Sequence, residues 1–166
     1  LAAAEFRYDA ATRTVSLPAV DLQAGTEYTL TVNSRLGGPR ADWSDQTFSF
    51  RTEIPSVRAT TPVDGSQGVS TSDASIGVVF DRPMASALAS LFQVQARSID
   101  AALDQGDSAP FELLAITGFG TDEGNAVVSF SPVGGLQPFT EYRVEVSKAA
   151  FGDLAEAGYS FTFQTA

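Results

Sequence analysis

Four groups of residues in this chain carry side chains suited to chemistry. The turn Asp122-Glu123-Gly124-Asn125 offers oxygen ligands of the kind that hold Ca2+. It lacks the regularly spaced series of a calcium loop, and GTDEGN at 120–125 equally suits a tight hairpin turn. Asp100, Asp104 and Asp107 share a second acidic loop, either a weak cation site or a solvated connection. Asp81 and Glu112 are a candidate carboxylate pair for glycoside hydrolysis, with Trp43 alone to stack against sugar. Asp81 also has a neighbouring cation, Arg82, to pair with. Trp43, beside Asp42 and Asp45, is a candidate partner contact or a cover for one end of the fold.

Composition removes most other chemistry. The chain has no His and no Cys, which excludes a Ser-His-Asp triad, thiol nucleophiles, disulfides and zinc sites of Cys/His type. Gly118–Gly120 and Gly134-Gly135 match no phosphate-binding fingerprint. The net charge of −10, with no run of three cations, is poorly suited to nucleic acid. No apolar run approaches the roughly 20 residues of a membrane-spanning helix. The expectation is a protein without catalytic residues and without a cofactor, weakly bound Ca2+ excepted. The first residues lack the basic flank and cleavage pattern of a signal peptide. A chain opening on Leu1 is expected to be an excerpt of a longer polypeptide.

The scaffold for these groups is written in the hydrophobic pattern. Apolar residues alternate over Glu5–Asp9, Thr14–Leu17, Glu27–Ser34 and Thr47–Thr52. After a short linker at Glu53–Pro55 the alternation resumes. It runs through Val57–Thr61, Ser75–Asp81, Phe92–Ala96, Phe111–Gly118, Asn125–Ser131, Glu141–Ser147 and Tyr159–Thr165. A period of two, rich in aromatic and branched residues, predicts half-buried strands. In the Asn125–Ser131 strand, Val128 and Phe130 face away from Val127, Ser129 and Ser131. Pro62–Ser75 reads as turns, Ala85–Leu91 as a helical turn and Ser98–Pro110 as a loop. No segment sustains a period of 3.6, so the class is all-β, a sandwich or barrel.

Three phrases occur twice. LQAGTEYTLTV (22–32) returns as LQPFTEYRVEV (136–146), 114 residues on. VSL (15–17) matches VSF (128–130), and FSFRT (48–52) matches FTFQT (161–165), both at 113. Such a period predicts tandem β-sandwich modules. The earlier match covers only the back of the later one. Residues 1–53 are therefore expected to be the C-terminal half of one module and 54–166 a complete one. Half a sandwich leaves an apolar face and a sheet edge bare. The missing strands are expected upstream of this chain; a strand from another chain is the alternative.

The repeated phrase suits a tyrosine corner, in which Tyr28 and Tyr142 bury their rings and turn their hydroxyls back to the preceding connection. Thr140 and Glu141 are expected to satisfy turn amides while staying wet.

The sequence TPVDGSQGVS (61–70), SIGVVFDRPM (75–84), VVSFSPVGGLQPFTEYRVEV (127–146) and YSFTFQT (159–165), in that order, resembles the bacterial Ig-like domain family of surface and S-layer-type proteins. The resemblance covers 54–166, and its later half recurs in 1–53. It implies an Ig-like Greek-key β-sandwich of about seven strands with no catalytic site. One departure stands out: FGDLAEAGYS (151–160) has Gly152-Asp153 but lacks the Asn of the Asp-x-x-Gly-Asn stretch many members carry before the last strand. The expected role is a non-catalytic spacer or scaffold in a larger bacterial surface or secreted protein, extracellular or at the cell surface. Its expected partners are neighbouring Ig-like modules of the same polypeptide. One alternative is an adhesin-type module contacting glycan or protein through loops 35–46 and 97–110. Another is an accessory domain of a large extracellular enzyme or macroglobulin-like protein.

Overall fold

The computed structural model describes residues 7–17, 21–34, 44–72, 75–99, 110–122 and 124–166. Four strands come first: β1 (Arg7–Asp9), β2 (Thr14–Ser16), β3 (Glu27–Val32) and β4 (Gln46–Arg51). Nine follow: β5 (Val57–Thr61), β6 (Ser66–Val69), β7 (Ile76–Phe80), β8 (Phe92–Ser98), β9 (Glu112–Leu114), β10 (Ile116–Thr121), β11 (Val127–Pro132), β12 (Thr140–Val146) and β13 (Tyr159–Thr165).

The later nine strands form an Ig-like sandwich of two sheets, ordered β10-β11-β7-β5 and β6-β13-β12-β8-β9. Alternation builds its core. Ile76, Val78 and Phe80 of β7 and Val128 and Phe130 of β11 point inward from one sheet, each at most 3% exposed. Phe92 and Val94 of β8, Tyr142, Val144 and Val146 of β12, and Phe161 and Phe163 of β13 point inward from the other. Each such side chain contributes on the order of 1.5–3 kcal/mol by leaving water. Phe92 and Phe130 tilt together across the layers with their ring centroids 5.6 Å apart.

The earlier four strands form two separate hairpins, β1-β2 and β3-β4. Here the same alternation leaves apolar side chains exposed. Tyr8, Val15, Leu17, Leu30, Phe48 and Phe50 all face solvent. Among the described residues, the buried core contains none from these hairpins.

The structure departs from the pattern reading in four places. The sandwich has nine strands where the resemblance implied about seven. β6 lies within the stretch assigned to turns. Its sequence, SQGV, has no apolar alternation, and it becomes a strand by pairing parallel to the edge of β13. That pairing is anchored by Gly65 N–H to the Thr162 carbonyl (2.7 Å) and by Thr162 N–H to Asp64 Oδ1 (3.0 Å). The single strand expected over 111–118 is two. β9 pairs with β8 and β10 with β11, so the chain changes sheets at Ala115, whose carbonyl accepts from Val133 N–H (2.8 Å). A bend of this kind keeps the hydrophobic run continuous and is invisible to periodicity. Finally, the helical turn of 85–91 shrinks to a 3-10 turn at Ala89–Leu91.

Candidate functional site

The two copies of the LQ–TEY phrase fold into corners with matching hydrogen bonds. In the later corner, Tyr142 is fully buried and its hydroxyl accepts a hydrogen bond from Gln137 N–H (2.6 Å). In the earlier one, Tyr28 Oη accepts from Gln23 N–H (2.7 Å). Each ring stacks on its cross-strand partner: Tyr142 on Phe163 at 5.1 Å and Tyr28 on Phe50 at 5.6 Å. Tyr142 buries its ring completely, whereas the ring of Tyr28 is only half-buried.

A residue not singled out from the sequence completes the corner. Thr165 Oγ1 accepts from Thr140 N–H (3.0 Å) and donates to the Gln137 carbonyl (2.6 Å), tying the turn to the last strand. Thr52 Oγ1 does the same with Thr26 N–H (2.9 Å) and the Gln23 carbonyl (2.6 Å). The signal for it lay in the Phe-x-Phe-x-Thr phrase, which ends in Thr at both positions. Thr26 Oγ1 and Thr140 Oγ1 donate to the carbonyls of Ala24 (3.0 Å) and Pro138 (2.8 Å). Gly25 and Phe139 occupy the same left-handed place in the turn, with φ of 57° and 47°. The expectation that Thr140 and Glu141 stay wet fails. Thr140 is 8% exposed, and Glu141 is drawn into a 2.7 Å ion pair with Arg97 across β8 and β12. The cause is sheet register: strand β12 has a strand on each side, which covers its first residues. Replacing Tyr142 by Phe is expected to lower stability by about 1–3 kcal/mol, because Gln137 N–H loses its acceptor; urea denaturation of the full chain measures this.

The hairpins agree in register as well. Arg7 faces Ser16 and Tyr8 faces Val15 in the first; 113 residues on, Gly120 faces Ser129 and Thr121 faces Val128. Both turns are closed by an Asp at the end of the first strand: Asp9 is the last residue of β1, and Asp122 directly follows β10. Asp9 Oδ1 accepts from Ala11 N–H (2.8 Å), and Asp122 Oδ1 accepts from Ala126 N–H (2.9 Å). The Ala11 and Thr12 hydrogen bonds hold Asp9 below the ordinary value of 3.8. Asp45 is likewise lowered by the Ser34 amide.

Among the described residues, those singled out for chemistry do not converge. Asp122 Oδ1 is engaged in its hairpin, and Asn125 Oδ1 accepts from Thr121 Oγ1 (3.1 Å), so these oxygens serve the turn; Glu123 lies outside the described residues. No cluster of three acidic groups fit for a metal occurs among the described residues. Trp43, Asp100, Asp104 and Asp107 also lie outside them. Asp81 and Glu112 are not a working pair. Asp81 is committed to Ser56 N–H (2.8 Å) and to Arg82 (3.2 Å), while Glu112 sits exposed on the edge strand of the other sheet.

The Asp81–Arg82 pair stands where the hairpins meet the sandwich. Arg82 also pairs with Glu53. An open groove of about 750 Å³ runs beside it, lined by Leu22, Gln23, Glu53, Arg82, Met84 and Asn125. Acidic and basic side chains are mixed along it. Elsewhere on the sandwich, Arg97 and Arg143 both lie over the ring of Phe111, at 4.8 and 4.3 Å from its centroid.

No curated protein sequence matches the chain. No helix among the described residues is long and apolar enough to cross a membrane. Residues 51–165 match the profile of the bacterial Ig-like domain, a span that takes in every strand of the nine-stranded sandwich. With the two-sheet core and the tyrosine corner already in place, that match makes the chain a member of the bacterial Ig-like domain family.

Proposed function

We propose that the chain is a non-catalytic spacer from a larger bacterial surface or secreted protein, built of Ig-like modules in series. Residues 1–53 are the C-terminal half of one module and 54–166 a whole one. The observation that carries this reading is the recurrence of the corner, hydrogen bond for hydrogen bond, in residues 22–52 and 137–165. Such a corner closes the connection that carries the chain from one sheet of a sandwich to the other, as between β11 and β12. Its presence in the earlier hairpins argues that they too belong to a sandwich.

The bare faces support the same reading. Phe161 is 2% exposed beneath the facing sheet, whereas its counterpart Phe48 is 56% exposed. Strands equivalent to β5–β9, preceding these residues in the longer polypeptide, supply the cover. The mechanism is geometric: modules in line hold whatever they carry at a distance. Small-angle scattering on a polypeptide extended upstream by one half module is expected to show an elongated particle. A compact globule would overturn the proposal.

A further inference from the structure

Modules joined by a short linker ordinarily move against each other unless their interface is substantial. Several contacts at this junction work against such motion. Gly25 is buried at the tip of the earlier corner. Its N–H donates to the carbonyl of Glu53, at the start of the linker (2.9 Å). Its carbonyl accepts from Leu154 N–H, in the later sandwich (2.8 Å). One residue thus ties corner, linker and sandwich together.

The contact is backbone against backbone. A Cβ built on Gly25 would overlap the carbonyl oxygen of Phe151, and one built on Gly152 would overlap that of Ala24. The receiving surface is itself fixed, since Phe151 packs edge-on against Phe80 of the core at 5.6 Å. A second clasp grips the linker. Asp81 N–H donates to the Ser56 carbonyl (2.9 Å), Asp81 Oδ1 accepts from Ser56 N–H (2.8 Å), and Arg82 pairs with both Asp81 and Glu53. Pro55, between the clasps, is buried and locks its own φ.

We infer that Gly25, Gly152 and the Asp81–Arg82 pair form a rigid joint that sets a single angle between the earlier corner and the later sandwich. This rests on the serial reading above but is separable from it. The joint is specific to this junction. The later corner carries Phe139 where the earlier has Gly25, and that side chain, 59% exposed, cannot enter a backbone-to-backbone contact.

The same difference supplies the test. Phe already occupies this left-handed place in the later corner, so Gly25→Phe is compatible with the corner and not with the joint. The chain has no Cys, so spin labels can be placed through Thr31→Cys and Ser160→Cys, both exposed positions, and the distance between them read by pulsed electron resonance. A single narrow distribution is expected. Gly25→Phe and, from the other side, Gly152→Val are each expected to widen it at least about twofold, as for modules free to reorient. Gly152→Val leaves the earlier hairpin untouched, which guards against a Gly25→Phe chain whose corner fails to fold. A broad distribution in the unaltered chain, or one that Gly152→Val leaves unchanged, overturns the joint. A broad distribution would still leave modules in series; a compact scattering particle would end the serial reading and leave a narrow distance standing.

Discussion

Phe161→Ala is expected to destabilise the protein by about 3–5 kcal/mol, while Phe48→Ala, the same change 113 residues earlier, costs less than about 1 kcal/mol. Both phenylalanines sit on the last strand of their hairpin and face equivalent partners, Val144 and Leu30. Local structure is therefore matched, and the difference isolates burial. Phe161 lies 2% exposed in a closed core, so truncation loses its transfer free energy and leaves a cavity. Phe48 is 56% exposed and leaves no cavity behind. Urea denaturation of the full chain, followed by circular dichroism, measures both. The proposed half module adds a condition. In a polypeptide that restores the preceding strands, Phe48→Ala should become as costly as Phe161→Ala. If Phe48→Ala stays harmless there, the earlier hairpins have no missing half.

Thr165→Val is expected to cost about 2–4 kcal/mol although it preserves the shape of the side chain. Thr165 is 4% exposed, and its hydroxyl serves the Thr140 amide and the Gln137 carbonyl at once. Valine leaves the buried Thr140 amide and the part-buried Gln137 carbonyl without this partner, and the cost of an unmade bond exceeds the net value of a made one. Thr52→Val removes the same pair of bonds in the earlier corner, where the surroundings are wetter, so water replaces part of what is lost and the effect is smaller. Thermal unfolding of the two variants side by side checks the order. Equal and negligible losses would mean that the corner hydroxyls are ornamental to the fold.

Much of this architecture was legible in residue order. Strands such as β7, β11 and β12 carry clean alternation, because one face of each meets the core and the other meets water. The tyrosine corner was legible because its phrase occurs twice, and a repeated side chain at a repeated spacing points to the fold before it points to a ligand. Other features left no such trace. β6 is polar and exists because an edge of β13 was open to it. The change of sheet at Ala115 occurs inside one apolar run, so no punctuation marks it. The candidate chemistry was read from residue type alone, and type does not say where a carboxylate goes: Asp81 turned out to brace a linker, and Asp122 to close a hairpin.

Periodicity and repetition can be read along the chain without its fold, and they were enough to establish an all-β chain, the positions of most strands and the twofold occurrence of the corner, while composition alone removed thiol and imidazole chemistry. Pairing across sheets and contact between distant backbones are not local. That Phe161 is buried while Phe48 is bare follows from which strands lie opposite, not from the matched phrases around them. That Gly25 must be glycine follows from Phe151 and Gly152, more than 120 residues away along the chain and touching it in space.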